Sequence, residues 1–239
     1  MKNNKKILLT FLHGDEDLGS DLWDFIGEKH EDLLKNLTFI AGNPRARRFH
    51  ERLVDTDLNR SFVEENFAKS YEKKRSVELS RKFREGKYDL ILDLHTTTVA
   101  GEPIFVSAVD RTPEVEKFRE NSFISKTVVM PPEIADVSLI GRFANSISVE
   151  INRDDAKTDK ILEKIVRDIR NALANYPESF AKSDEIYDVF SYFGNDEFSE
   201  NEILAAENFA EFHGFSPVLL GEKSYRKMGK YIGFKAKKR

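Results

Sequence analysis

Two histidines and a glutamate stand where metal chemistry would need them. His13 and Glu16 form His-x-x-Glu directly after the apolar run Ile7 to Leu12, and His95 follows a second run in Asp93-Leu94-His95-Thr96-Thr97. Two imidazoles and one carboxylate suit catalytic zinc, with a fourth position left open to water. One carboxylate leaves such a complex net positive, so water bound there is acidified toward neutral pH and a hydroxide nucleophile becomes available. Asp93 shares a strand face with His95 through the period of two, where it can orient the ring. A lone histidine is more often a surface or hydrogen-bonded core residue than a ligand, so the combination carries the reading. His30, His50 and His213 lack a matching partner. The His-Glu-x-x-His zinc helix is absent, because the positions after His30-Glu31 and His50-Glu51 that would need histidine are Leu34 and Val54.

A second dense stretch runs through Asn43-Pro44-Arg45-Ala46, Arg52 and Asp57-Leu58-Asn59-Arg60-Ser61-Phe62. Arginine presents a planar fork that pairs with a carboxylate at two points, and asparagine adds a neutral donor, so an anionic substrate group would fit. The competing reading is a solvated loop whose arginines pair with Asp55 or Asp57. Glu150 closes the apolar stretch Ser148-Val149-Glu150-Ile151. Beside a metal-bound water it would take a proton and later give it to a leaving amine; without the metal set it is an ordinary strand-end carboxylate.

Strands and helices must bring these residues together. Ile7 to Leu12 and Leu90 to Leu94 are continuous apolar runs, expected of strands covered on both faces in a largely parallel sheet. The ends of such strands converge on the ligand crevice. Further strands are predicted over Thr38 to Ala41, Ile104 to Ala108 and Ser146 to Ile151. Helices are predicted over Phe62 to Glu85, with Gly86 as its C′ residue, and over Asp159 to Asn175. Alternating strands and helices argue for an α/β fold. After Pro177 the chain turns to short aromatic-rich segments, Glu185 to Phe193 and Ser216 to Leu220, which predict a small β-rich region. The expected organisation is a catalytic domain over 1–176 and a reduced β-rich C-terminal region over 177–239.

Composition narrows the function. The 239 residues carry 38 Lys+Arg against 42 Asp+Glu, a formal charge of −4, which argues against a basic nucleic-acid binder. Cysteine is absent, removing disulfides, zinc-thiolate sites and thiol nucleophiles. The glycine-rich nucleotide motifs and the Gly-x-Ser-x-Gly elbow are also missing. The apolar run after Lys2, Lys5 and Lys6 meets His13-Gly14-Asp15-Glu16 too soon for a signal peptide or membrane span, so a cytoplasmic protein without a membrane partner is expected.

Taken in order, His-Gly-Asp-Glu, Asn-Pro-Arg-Ala, an arginine eight residues before the last one of Asp-Leu-Asn-Arg-x-Phe, Asp-Leu-His-Thr-Thr and Val-Glu-Ile resemble the succinylglutamate desuccinylase/aspartoacylase family, zinc-dependent deacylases related to zinc carboxypeptidases. The resemblance runs from His13 to Glu150 and weakly beyond. It implies a zinc-carboxypeptidase-like α/β fold, a mixed and largely parallel sheet flanked by helices, with one Zn²⁺ per chain on His13, Glu16 and His95. It implies Glu150 as general base and acid, Arg52 as the group that polarises the scissile carbonyl, and Asn59 and Arg60 as holders of a substrate carboxylate. Arg142 is the nearest candidate for the family's further pocket arginine, and Tyr225, in Gly221-Glu222-Lys223-Ser224-Tyr225, for its pocket tyrosine. The implied reaction is amide hydrolysis of an N-acyl amino acid, a small-molecule substrate. A carboxypeptidase acting on short peptides and a zinc-binding relative without turnover are the alternatives. The short stretch after Pro177 implies a reduced pocket-narrowing domain. Within it, the resemblance favours β structure for Glu202 to Asn208, against the helix-capping pattern of Ser199 with Glu202.

Overall fold

Alternation of side chains on extended strands decides the architecture. In the computed structural model the described residues are 5–64, 69–99, 101–174, 184–194, 197–223 and 232–239. Their strands are β1 (Ile7–Phe11), β2 (Leu37–Ala41), β3 (Leu90–Thr97), β4 (Ile104–Ala108), β5 (Lys126–Met130), β6 (Ser146–Asn152), β7 (Glu185–Phe193), β8 (Ser216–Val218) and β9 (Gly233–Lys238). They form one sheet in the order β2-β1-β3-β6-β4-β5-β7-β9-β8. β2, β1, β3 and β6 run parallel, β4 reverses against β6, and β5 and β7 follow β4 in parallel. β9 and β8 complete an antiparallel edge. The mixed, largely parallel α/β sheet expected from the sequence is present.

The helices are α1 (Leu18–Lys29), α2 (Pro44–Arg48), α3 (Tyr71–Gly86), α4 (Pro113–Glu120), α5 (Pro132–Ala135), α6 (Leu139–Arg142), α7 (Arg153–Ala156), α8 (Asp159–Leu173) and α9 (Glu200–Ala205). One sheet face carries Leu9, Leu92, Leu94, Ile147 and Val149. It is covered by Leu22 and Ile26 of α1, Val115 and Phe118 of α4, and Ile161, Ile165 and Ile169 of α8. Each such aliphatic or aromatic side chain contributes about 1.5–3 kcal/mol on leaving water, so this face anchors the fold. The opposite face holds two apolar groups. Leu8 and Ile91 pack with Leu79 and Phe83 of α3, while Ile104, Val106, Val128 and Tyr187 pack with Ile140, Val218 and Leu219. Between these groups the pleat turns Thr10, Asp93, His95, Ser148 and Glu150 to the same face, as the registers Thr10↔Asp93, Asp93↔Ser148 and His95↔Glu150 require.

Two local expectations are corrected. The helix expected from Phe62 begins only at Tyr71, where the Ser70 side chain accepts the Lys73 N–H as N-cap. Its left-handed cap is Lys87 (φ 49°), while Gly86 is the last helical residue, where the Tyr88 ring occupies the place a Cβ would need and so requires glycine. The stretch expected as β around Glu202 is instead the helix α9. Ser199 and Glu202 each hydrogen-bond the other's backbone, so the local capping box prevails. The predicted boundary at Tyr176 lies outside the described residues, and the C-terminal strands extend the main sheet through the β5·β7 pairing.

Candidate active site

The site lies at the C-terminal ends of β1, β3 and β6, with His95 and Glu150 inside the last two strands. His13 and Glu16 follow β1 in a tight turn, and Gly14 permits it. A Cβ at Gly14 would lie 2.3 Å from the Ala46 backbone and 2.4 Å from the Glu51 carbonyl, so only glycine lets this turn press against the α2 segment. His13, Glu16 and His95 are all buried. His13 Nδ1 lies 2.8 Å from Glu16 Oε1, His95 Nδ1 lies 3.0 Å from Glu16 Oε2, and the two Nδ1 atoms are 3.2 Å apart. The Thr96 N–H donates to Glu16 Oε2 and fixes the carboxylate.

The far side of each ring explains why this set fits a cation. His13 Nε2 is 3.0 Å from Asp57 Oδ1, and His95 Nε2 is 2.6 Å from Asp93 Oδ2. Those carboxylates accept N–H from both Nε2 atoms, which leaves the two Nδ1 lone pairs and Glu16 converging on one point. Three acceptors so close repel unless positive charge sits among them. Burial alone would lower the His95 pKa, but Asp93, Glu16 and Glu150 outweigh it and hold that ring's pKa well above its ordinary value. For His13, burial and Arg52 act downward, Asp57 and Glu16 act upward, and the balance is a raised pKa. Burial disfavours the Glu16 anion, yet the two imidazoles keep its pKa well below the usual carboxylate range. The three ligand atoms all lie within 4.8 Å of one another, and they could hold a metal ion.

Arg52 faces the same point from the segment after α2. Its Nη1 donates to Glu16 Oε1 at 3.2 Å, and its Nε and Nη2 donate to Asp57 Oδ2 at 3.4 and 3.2 Å. Burial disfavours the Asp57 anion, but His13, Arg52 and Arg60 keep its pKa well below the usual range. Asn59 and Arg60 form a single 3-10 turn opened by Asp57, whose side chain accepts the Asn59 N–H. They line a cavity of about 60 Å³ with His13, Arg52 and Glu150. Glu150, across the β3–β6 register from His95, also lines a cavity of about 470 Å³ walled by Val99, Ile104, Phe209 and Leu219. Burial pushes its carboxyl up to about 7, with His95 acting against the rise and Glu16 in favour of it.

Six of the sequence candidates besides Glu16 thus meet one region: His13, His95, Glu150, Arg52, Asn59 and Arg60. Arg142 does not. Leu139 and Ile140 turn inward on α6, so Arg142 points outward, donates to the Phe62 carbonyl at 3.0 Å and lines a separate groove with Arg81 and Arg84. Tyr225 lies outside the described residues. Asn43 is a helix cap that accepts the Ala46 N–H, so Asn-Pro-Arg-Ala is a structural motif and does not reach the ligand region. Sequence reasoning treated Asp57 only as an ion-pair partner and missed its bond to His13. It also passed over Glu222, which accepts from the Thr97 hydroxyl and the Thr98 N–H beside His95. Only its neighbourhood to Tyr225 drew notice to Glu222, and no local spacing reveals a contact spanning so much chain.

Residues 6–130, more than half of the chain, match the family model described as the succinylglutamate desuccinylase/aspartoacylase catalytic domain. The chain belongs to the succinylglutamate desuccinylase/aspartoacylase family. This family member is 36% identical over 112 residues to the probable aspartoacylase of Prochlorococcus marinus (strain NATL2A), a stretch that makes up 42% of this chain and 36% of that relative. The similarity therefore spans little more than a third of the relative's length. Likeness over nearly the whole chain is structural. A succinylglutamate desuccinylase of Vibrio cholerae has a TM-score of 0.74 at 18% identity, with 98% of this chain and 82% of that one covered. Murine aminoacylase 3 has a TM-score of 0.72 at 18% identity, with 100% and 97% covered. At such identity the likeness is one of fold. Glu150 lies beyond the residues that match the family model.

Proposed function

We propose that the protein is a zinc-dependent hydrolase that removes the acyl group from an N-acyl amino acid. One observation carries the reading: the Nδ1 atoms of His13 and His95 converge with Glu16, and Glu150 and Arg52 line the same small space. A zinc ion on His13, Glu16 and His95 would supply Lewis acidity to the scissile carbonyl and to the attacking water. The remaining work falls to the chain. Glu150, raised to about 7, takes a proton from the water and returns it to the leaving amine. Arg52 directs its charge at the oxygen where negative charge develops, a preorganised stabilisation in a cavity that holds little water. Asp57 and Asp93 hold the two rings by Nε2 and keep the Nδ1 atoms turned inward.

Substrate orientation follows from the two cavities that share Glu150. Arg60 and Asn59 bind the amino acid's carboxylate in the smaller one. The larger, walled by Val99, Ile104, Phe209 and Leu219, receives the acyl group on the other side of the scissile bond. Among the described residues no helix is long and apolar enough to cross a membrane. The test is a screen of purified protein against N-acetyl and N-succinyl amino acids and short peptides, with and without a chelator. Hydrolysis of N-acyl amino acids that stops on chelation and returns with zinc is expected. Chelator-insensitive turnover, or a preference for peptides, would overturn the proposal.

A further inference from the structure

One buried carboxylate outside the reacting groups has partners that connect it to them. Glu72, the second residue of α3, is fully buried. Its Oε1 accepts the Val54 N–H at 2.6 Å and the Asn43 side-chain N–H at 3.1 Å. Its Oε2 accepts the N–H groups of Asp55 and Thr56, both at 3.1 Å. Three consecutive backbone amides therefore close on one side chain. The segment from Glu51 to Asp57 has no helix or strand of its own to occupy those donors, and an orphaned buried N–H is costly. Burying a carboxylate is also costly unless its lone pairs are filled, and an apolar residue would avoid that cost. Here four donors fill both oxygens.

The held amides lie between two residues of the site. Arg52 is two positions before Val54, and Asp57 directly follows Thr56. The grip is reciprocal, since Asp55 Oδ2 accepts the N–H of Tyr71 at the start of α3, and Thr56 Oγ1 lies 3.3 Å from Ser70 Oγ. We propose that Glu72 is a positioning residue of the reaction: by holding the amides of residues 54–56 it sets where the Arg52 guanidinium stands against Glu16 and Asp57. The proposal rests on the reading of Arg52 as the group facing the developing oxyanion.

The test combines exchange and kinetics on the full chain. In the wild type the amides of Val54, Asp55 and Thr56 should exchange hydrogen at the pace of sheet amides, and Glu72→Gln, whose NH₂ cannot accept, should speed them by about tenfold or more while β3 and β6 are unchanged. Fast exchange in the wild type, or no change in the variant, would overturn the hold. Glu72→Gln should lower kcat by about tenfold or more with KM nearly unchanged, and by less than about threefold in an Arg52→Ala background. Equal factors in both backgrounds would show that Glu72 does not act through Arg52. If the wild type hydrolyses no N-acyl amino acid, the deacylase reading fails on its own, while the exchange measurement still decides whether Glu72 holds the segment.

Discussion

Metal uptake by this site should expel protons. With Nε2 of both rings held by Asp57 and Asp93, any proton on Nδ1 of His13 or His95 occupies the space a cation needs. The His95 pKa stands well above 6.5 and that of His13 is raised from the same value, so the metal-free site carries protons near and below neutrality. Each proton displaced changes the apparent metal affinity about tenfold per pH unit, roughly 1.4 kcal/mol. One imidazole gives a slope of about one in log Kd against pH and two give about two. The assay is calorimetric titration of zinc into chelator-stripped protein at several pH values, in buffers of different ionisation enthalpy. Through the imidazoles, the stability of the metal-free protein should move in the opposite sense to zinc affinity. The raised His95 value stabilises the metal-free protein fully below 6.5, and this contribution is lost as pH rises through the folded value. The depressed Glu16 value acts oppositely, present above 4.5 and lost as pH falls through its folded value. Zinc at about a hundredfold over Kd adds about 2.7 kcal/mol, roughly 5–11 °C in Tm for a chain of this size. The gain at a fixed zinc concentration should grow from mildly acid to mildly alkaline pH. A pH-independent affinity with no proton release would refute the arrangement of ring nitrogens described above.

Replacing Glu150 with Gln should leave zinc stoichiometry intact and cut kcat by about 10²–10⁴; undiminished turnover would remove Glu150 from the proton transfer. In the wild type, kcat/KM should rise with pH along a limb at or below about 7, since a bound cation can only favour the Glu150 anion. Arg60→Ala should raise KM for carboxylate-bearing substrates and spare analogues lacking that carboxylate, and an equal loss on both would contradict the pairing role. Asp93→Asn should weaken zinc binding by about 10–100-fold through loss of the His95 anchor, measured by competition with a chromophoric chelator. Unchanged affinity there would show that the 2.6 Å contact does not orient the ring.

Apolar patterning made the sheet legible: β1 and β3 are buried on both faces and begin with continuous apolar runs, while β6 alternates Ser146, Ile147, Ser148 and Val149 with a period of two. The convergence of His13, Glu16 and His95 was legible for a related reason: they sit at or just beyond the ends of β1 and β3, which parallel topology brings side by side. Arg142 misled because counting back from Glu150 says nothing of which way a one-turn helix faces, and the apolar demand of Leu139 and Ile140 decided it. The capping box of Ser199 and Glu202 was readable locally and was set aside for resemblance, although its two reciprocal hydrogen bonds need no tertiary partner. The contacts of Asp57 with His13, of Glu72 with residues 54–56 and of Glu222 with Thr97 and Thr98 were not legible, because each is made across loops. A carboxylate that accepts backbone N–H groups leaves no spacing in the sequence.

The central claim is tested most directly by crystals grown with zinc and measured on both sides of the zinc absorption edge. A single anomalous peak should appear among His13 Nδ1, His95 Nδ1 and Glu16, with the Nε2 atoms still on Asp57 and Asp93. Rings turned away from each other, or zinc bound only elsewhere on the chain, would contradict it.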